Sequence, residues 1–297
     1  MAILGAGLMG HAIAAILIAH GHDVTCVEPE GAARASLPDR VNAVLAELGR
    51  PATGRLSSVS APTDLDPSTG FITEAAPEQL ELKQTLLAVV AQQCPKAVLA
   101  SNSSVFCVAD VGRQVADGSR VVGTHWWNPP HLIPLVEVVQ GERSDPVVVA
   151  GVMEFLTSLG KTTVHVRRDT PGFIGNRLQH ALWREAMALV DEGVCDAAAV
   201  DLVVKNSIGL RLSEIGPLAN ADYVGLDLTR AIHEYVFPTL SRSEVPLPVL
   251  DDLVERGALG AKTGSGFFDW PPGVRDATAA RLAARVRLLA NLAHDDE

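Results

Sequence analysis

No lysine precedes Lys83, and lysine and arginine gather nowhere into a patch; 24 Lys and Arg stand against 35 Asp and Glu, for a formal net charge of -11. Nucleic-acid phosphates draw on clustered cations, so no nucleic-acid partner is expected. Cysteine is also sparse. Cys26, Cys94, Cys107 and Cys195 stand singly, with no C-x-x-C spacing and no Cys/His cluster, which speaks against a disulfide framework and against a metal site. No apolar run approaches the roughly 18 to 20 residues needed to span a bilayer, and no basic leader precedes the first apolar segment. The expectation is a soluble, cytoplasmic protein with no membrane partner.

What remains is a chain of 297 residues with 47% hydrophobic content, enough for two domains with cores of their own. Ala2-Ile3-Leu4 reads as a short strand. It runs directly into Gly5-Ala6-Gly7-Leu8-Met9-Gly10, and His11 to His20 continues with helical periodicity. In G-x-G-x-x-G the first glycine permits a tight turn and the second lets backbone approach a pyrophosphate. The third allows close packing of helix on strand, while the helix N-terminus offers free N-H groups to the phosphates. Asp23 to Val27 reads as the second strand and ends in Glu28, where an acid binds the adenine ribose diol and repels a 2'-phosphate. NAD rather than NADP is the expected cofactor.

Residues 31 to 60 carry a helical pattern, Val41, Val44, Leu45 and Leu48, closed by Gly49 and Pro51. Phe71 to Ala76 reads as a strand leading into a helix over 78–93. The small Ala75 and Ala76 suit either a surface on which a cofactor lies or close packing under a helix. Val98-Leu99-Ala100 is the next strand. The Ser101-Asn102-Ser103-Ser104 that follows either orients a substrate oxygen or caps a helix over 107–115.

The segment with most chemical content is Gly123 to Val139. Two apolar runs, Val121 to Trp127 and Ile133 to Val139, flank a proline-rich turn; paired antiparallel, they set His125 opposite Glu137. An imidazole with one nitrogen held by a carboxylate has a fixed tautomer, and its other nitrogen can take a proton from a hydroxyl. A histidine satisfied in a strand beside an unrelated glutamate would share the pattern.

These segments, together with Asp169-Thr170-Pro171-Gly172-Phe173-Ile174-Gly175-Asn176-Arg177 and Gly260 to Phe267, occur in the order and spacing of the 3-hydroxyacyl-CoA dehydrogenase family, which the chain resembles over nearly its whole length. The resemblance implies an NAD-dependent dehydrogenase of fatty-acid type, with an α/β Rossmann doubly wound sheet over 1–169 and an all-α domain over 170–297 for substrate binding and dimerisation. It implies that His125 is the catalytic base and Glu137 its partner, that Ser104 and Asn176 hold the substrate oxygen, and that Asn128 completes the site. Glu78, Lys83 and Asn102 would face the cofactor with Gly5, Gly7, Leu8, Met9, Gly10, Glu28, Ala75 and Ala76.

After Val166 the apolar pattern is helical almost throughout, with helices expected over 173–192, 197–205, 222–240, 247–256 and 276–292. So apolar a domain fits a homodimer, and equally packing within one subunit. The small-molecule substrate is less defined. Trp126-Trp127 replaces the family's usual Phe-Phe, and Pro130 follows Pro129. This wording resembles the branch with lambda-crystallin, L-gulonate 3-dehydrogenase and carnitine dehydrogenase, whose substrates carry no CoA, and also members that oxidise pyridine-derived aldehydes. Arg34, Arg40, Arg50 and Arg55 are the cations available for CoA phosphates in the lysine-poor half. A 3-hydroxyacyl substrate heads the expectations, a CoA-free one follows, and a catalytically silent NAD-binding structural or sensing protein is the rival from another class.

Overall fold

The computed structural model describes residues 1–295. It divides into two compact units, Met1–Arg177 and Leu178–Glu297. The first unit extends eight residues past the expected boundary at 169, so Asn176 belongs with the sheet. The first unit alternates strand and helix: β1 (Ala2–Leu4), α1 (Gly10–Ala19), β2 (Val24–Val27), α2 (Gly31–Leu48), β3 (Leu56–Val59), β4 (Phe71–Glu74), α3 (Leu80–Gln93), β5 (Val98–Ser101), α4 (Val108–Val111), β6 (Val121–Trp126), β7 (Leu135–Val139), α5 (Pro146–Ser158) and β8 (Thr162–Val166).

These strands form one sheet in the order β3-β2-β1-β4-β5-β6-β7-β8. β1 to β6 run parallel, β7 is antiparallel to β6, and β8 is parallel to β7. This is the expected doubly wound α/β sheet. Strand order reverses between β1 and β4, which opens a crevice at their carboxyl ends where ligands of such sheets bind. Successive side chains of a strand face opposite ways, and the core follows suit. Ile3, Cys26, Ala100, Val122, Val136 and Val138 pack on one face with α1, α2 and α5. Ala2, Leu4, Val27, Ile72, Leu99 and Val139 pack on the other with α3 and α4.

Several elements depart from the pattern seen in sequence. The helix begun at Gly31 ends at Gly49, which adopts a left-handed conformation, and the unforeseen β3 then pairs with β2. The helix expected over 107–115 is a single turn, α4, flanked by Gly112. α5 and β8 were not foreseen either. Asp145 caps α5 by accepting from the Val147 amide at 2.8 Å, with Pro146 at the first helical position, and Val149, Val152 and Leu156 are buried against the sheet.

The second unit is helical, as expected: most of α6 (Gly175–Asp191), then α7 (Ala197–Asn206), α8 (Ile208–Leu212), α9 (Pro217–Val224), α10 (Leu226–Val236), α11 (Pro248–Glu255) and α12 (Val274–Asp295). The helix anticipated over 222–240 is broken at Gly225, whose φ of 107° no helix accommodates, so α9 and α10 are separate. No residue of α7 to α11 is buried. The exposed large apolar side chains, apart from Leu8, Val105, Val147, Val164 and Ile174, all lie in this unit. No helix among the described residues is long and apolar enough to cross a membrane.

Because Asp145 fixes where α5 starts, Asp145→Ala should lower stability by about 0.5–2 kcal/mol. A urea midpoint unchanged from wild type would show that the Pro146 turn suffices to start the helix.

Candidate active site

The crevice between β1 and β4 holds a cleft of about 630 Å³ lined by Gly5, Gly7, Met9, Glu28, Ala75 and Pro77 among others. Gly5 turns the chain with φ 96°, and a Cβ there would lie 2.8 Å from the Ala75 carbonyl oxygen; one on Gly10 would lie 1.9 Å from that of Gly5. A Cβ on Gly7 would meet nothing within 4 Å, so the backbone there faces open space ahead of α1. Leu8 is exposed beside it. Glu28 accepts from the Ala6 amide at 3.0 Å and the Glu30 amide at 3.1 Å, which fixes its carboxylate at the cleft edge. Arg40 donates to the Ala6 carbonyl at 2.6 Å and pins the loop from the other side. Free helix-terminal amides, a glycine without obstruction and an acid after β2 form a donor set that fits NAD, with Glu28 at the ribose and the Gly7–Gly10 backbone at the phosphates.

At the carboxyl ends of β4 and β5 lies a buried ionic cluster. Lys83 was expected to meet the cofactor, but its side chain is fully buried and turned inward. Its ammonium donates to Glu74 Oε1 at 2.9 Å, Glu74 Oε2 at 3.1 Å and the Ala76 carbonyl at 3.2 Å, and pairs with Glu78 Oε2 at 3.1 Å. The fully buried Glu74 carboxylate demands a cation, and that demand takes precedence over a solvent-facing role. Glu78 in turn accepts through Oε1 from Ser103 Oγ at 2.5 Å and the Ser104 amide at 2.9 Å. Burial alone would raise the Glu78 carboxyl; the hydrogen bond from Ser103 and the Lys83 charge outweigh it and hold the group below the usual range. Asn102 is buried and spends its Oδ1 on the Trp126 amide at 2.9 Å, tying β5 to β6.

β6 and β7 pair in the expected register, with His125 opposite Glu137. Both are buried, and His125 Nδ1 donates to Glu137 Oε2 at 2.7 Å. The second carboxylate oxygen accepts from the amides of Ile174 at 2.9 Å and Gly175 at 3.0 Å, at the start of α6. Those amides are aimed by Phe173, which adopts φ 53°, unusual for a residue with a side chain. Its ring is buried, with its centroid 5.7 Å from that of His125. Trp127 stands at 5.1 Å on the same imidazole. Desolvation works to raise the Glu137 carboxyl, but the hydrogen bonds from His125, Gly175 and Ile174 win and keep it low. His125 Nε2 has no hydrogen-bond partner among the described residues.

Asn176 is buried and donates through Nδ2 to the Ser104 carbonyl at 2.7 Å, so these two proposed oxygen-binding residues meet. The Ser104 hydroxyl itself makes no hydrogen bond among the described residues. Asn128 is exposed in the turn after Trp127, preceding a cis peptide bond to Pro129. Sequence reasoning missed Glu74 and Phe173, and it named Ser103 for a substrate oxygen or a helix cap rather than as a partner of Glu78. An acid closing an otherwise apolar strand nine residues before Lys83 was the available signal for the first; for Phe173 only the preceding Pro-Gly hinted at unusual backbone.

A folded-state carboxyl pKa below its unfolded value of about 4.3 contributes stability above that pH, and the contribution is lost as pH falls through the folded value. Glu137→Gln should therefore cost about 1–3 kcal/mol near neutrality, and the gap from wild type should close as pH drops below about 4. Urea unfolding across this pH series checks it; a gap constant down to pH of about 3 would rule out the ionised carboxylate as its source.

Residues 1–170 match the family model for the 3-hydroxyacyl-CoA dehydrogenase NAD binding domain, and residues 172–270 match that for the 3-hydroxyacyl-CoA dehydrogenase C-terminal domain. The chain is 33% identical to 5-formyl-3-hydroxy-2-methylpyridine 4-carboxylate 5-dehydrogenase of Mesorhizobium japonicum, over 97% of this chain and 95% of that one. It is 38% identical to L-carnitine dehydrogenase of Streptomyces griseus, covering 91% and 84%. A crystal structure of a 5-formyl-3-hydroxy-2-methylpyridine 4-carboxylic acid 5-dehydrogenase, described as an NAD+-dependent dismutase, superposes with a TM-score of 0.91 at 30% identity, covering 98% and 97%. The chain belongs to the 3-hydroxyacyl-CoA dehydrogenase family and is an NAD-dependent dehydrogenase acting on a CH-OH group.

Proposed function

We propose that the chain oxidises the hydroxyl of a compact substrate that carries no CoA, with His125 as base and Glu137 as its orienting partner. The observation that carries the chemistry is the 2.7 Å contact between the two, which leaves Nε2 as the imidazole's unengaged nitrogen. A neutral imidazole with its proton held on Nδ1 accepts at Nε2. Taking the proton from a carbinol as its C-H bond breaks leaves an imidazolium, which the fixed Glu137 carboxylate stabilises. NAD, when bound, supplies the hydride acceptor. The uncommitted Ser104 hydroxyl and the second N-H of the Asn176 amide suit the substrate oxygen.

The preference for a CoA-free substrate rests on the cations. Arg34 is spent on the Glu28 and Pro29 carbonyls, Arg40 on Ala6 and Ala33, Arg50 on His20 and Arg55 on Asp23. Lys83 and Lys161 are buried, and Lys96 precedes β5, at the far end of that strand from the cleft. Relatives named for carnitine and for a pyridine carboxylate lean the same way. The second reading, a 3-hydroxyacyl-CoA, is favoured by the 31% identity to 3-hydroxyadipyl-CoA dehydrogenase of Escherichia coli, where the match spans 58% of the relative.

The unburied helices of the second unit further support a homodimer formed through them, since a monomer rarely leaves so much apolar surface uncovered. Sedimentation at micromolar concentration should give twice the chain mass of 31.3 kDa, and a monomer there would refute this.

NADH absorbance decides the substrate: L-carnitine, gulonate, free 3-hydroxybutyrate, 5-formyl-3-hydroxy-2-methylpyridine 4-carboxylate and 3-hydroxybutyryl-CoA are offered in turn, and turnover confined to the CoA ester would overturn the preference. On the compound that reacts, His125→Gln should lower kcat by about two to four orders of magnitude, with NAD affinity held within about threefold. Near-normal turnover would remove His125 from the chemistry.

A further inference from the structure

The turn between β6 and β7, residues 127–134, joins the strand of His125 to the strand of Glu137, yet it lies outside their ladder, whose last pair is Trp126 with Val136. Pro129, Pro130 and Pro134 lack amide hydrogens, so the turn has few donors of its own for its carbonyls. The amides of Leu132 and Ile133 both go to the Pro129 carbonyl, at 3.1 and 3.0 Å. The carbonyls of Pro130 and Ile133 receive theirs from Lys161, whose ammonium donates to them at 2.5 and 3.1 Å.

Lys161 is 8% exposed. Its backbone amide closes α5 on the Leu156 carbonyl, and the adjoining Thr162 amide donates to the Pro134 carbonyl at 3.1 Å, so the residue is anchored where α5 turns into β8. Its ammonium also lies 5.4 Å from the centroid of the Trp126 indole, a cation over a π face. No carboxylate pairs with it among the described residues. A buried cation with only carbonyls and an indole for company is a costly arrangement where structure alone is at stake.

We infer that Lys161 is a positioning residue of the dehydrogenase, its ammonium clamping the Pro130 and Ile133 carbonyls so that the turn holds His125, with Trp127 beside it, against Glu137. The charge matters to the clamp, because a charge-assisted hydrogen bond is roughly twice as strong as a neutral one. Burial pushes this ammonium down to about 8. The titratable groups on the elements packed around it are His131 in the turn, itself paired with Glu47 of α2, Glu137 on β7, Glu154 on α5 and His165 on β8. Since the folded pKa lies below the unfolded one, the burial penalty is present below pH of about 8 and relieved above it, so deprotonation loosens the turn without lowering overall stability through this group.

The kinetic part of this inference depends on His125 as base; the exchange part does not. Wild type, Lys161→Arg and Lys161→Met, each saturated with NAD, are compared by hydrogen exchange of the Leu132 and Ile133 amides, corrected for intrinsic rates, at pH of about 7 and about 9.5. At the lower pH the Met variant should exchange about tenfold faster than wild type and the Arg variant within about threefold of it. At the higher pH wild type should move toward the Met variant, while the Arg variant, still charged, should not. With the compound that supports turnover, the Met variant should lose about ten- to hundredfold in kcat with KM within about threefold, and the Arg variant should recover most of it and lose the alkaline limb near pH 8. A folded Met variant with wild-type exchange overturns the inference. Should that variant not fold, the two pH arms decide: wild-type exchange flat across this range, or rising equally in the Arg variant, overturns it.

Discussion

The carboxylate of Glu137 accepts three hydrogen bonds in a setting with almost no water, and the architecture around the site is arranged to deliver them. His125 reaches it across an antiparallel ladder, and Ile174 and Gly175 reach it from the first turn of α6. An ionised carboxylate so enclosed is tolerable only when its oxygens are satisfied. Slipping β7 by one residue would turn Glu137 to the opposite face of the sheet and leave His125 facing a valine. Register, helix start and the left-handed Phe173 are thus parts of one constraint.

A second ionic centre is coupled to the first by backbone rather than by charge. Lys83 neutralises Glu74 and holds Glu78; Glu78 takes the Ser104 amide; the Ser104 carbonyl takes the Asn176 amide; and Asn176 follows the glycine whose N-H reaches Glu137. The floor of the cofactor cleft at Ala76, held by Lys83, is therefore connected to the imidazole through a run of hydrogen bonds within one compact unit. Such a chain fixes the separation between the cleft and the imidazole, on which any transfer between them would depend.

Legibility in the sequence followed the range of the interaction. The glycine motif and the His125-Glu137 pairing are local: one is a turn with obligatory backbone, the other a period-two register about a proline turn, and both could be placed by counting residues. The direction of Lys83 could not. A lysine at the cleft-side end of α3 can point to solvent or inward, and the choice was made by Glu74, a neighbour only after β4 and α3 have packed. Lys161 is hidden for the same reason, because its partners are carbonyls of a turn about thirty residues earlier and carbonyls carry no sequence signature. α5 was passed over although Asp145-Pro146 is a good start signal, since its run of valines reads as readily as strand. Gly225 splits a helical pattern that periodicity alone would continue.

The scarcity of free cations in the lysine-poor half then bears on two ligands that both carry phosphate. A pyrophosphate can be bound by backbone N-H groups at a helix start, and the Gly7–Gly10 segment offers them without any basic side chain. Lysine-poor sequence and NAD are therefore compatible. CoA brings a pyrophosphate and a ribose 3'-phosphate of its own, held most simply by Lys or Arg. In this chain Arg34 and Arg40 are consumed in bracing the carbonyls around the nucleotide loop itself. Under the proposal of a CoA-free substrate, these arginines need serve no second nucleotide, and the groups beside the imidazole are the Trp127 ring, the buried Phe173 ring and the Ser104 hydroxyl. With an imidazole flanked by aromatic rings in a chain of net charge -11, that proposal matches a small polar or aromatic alcohol better than a polyphosphate ester.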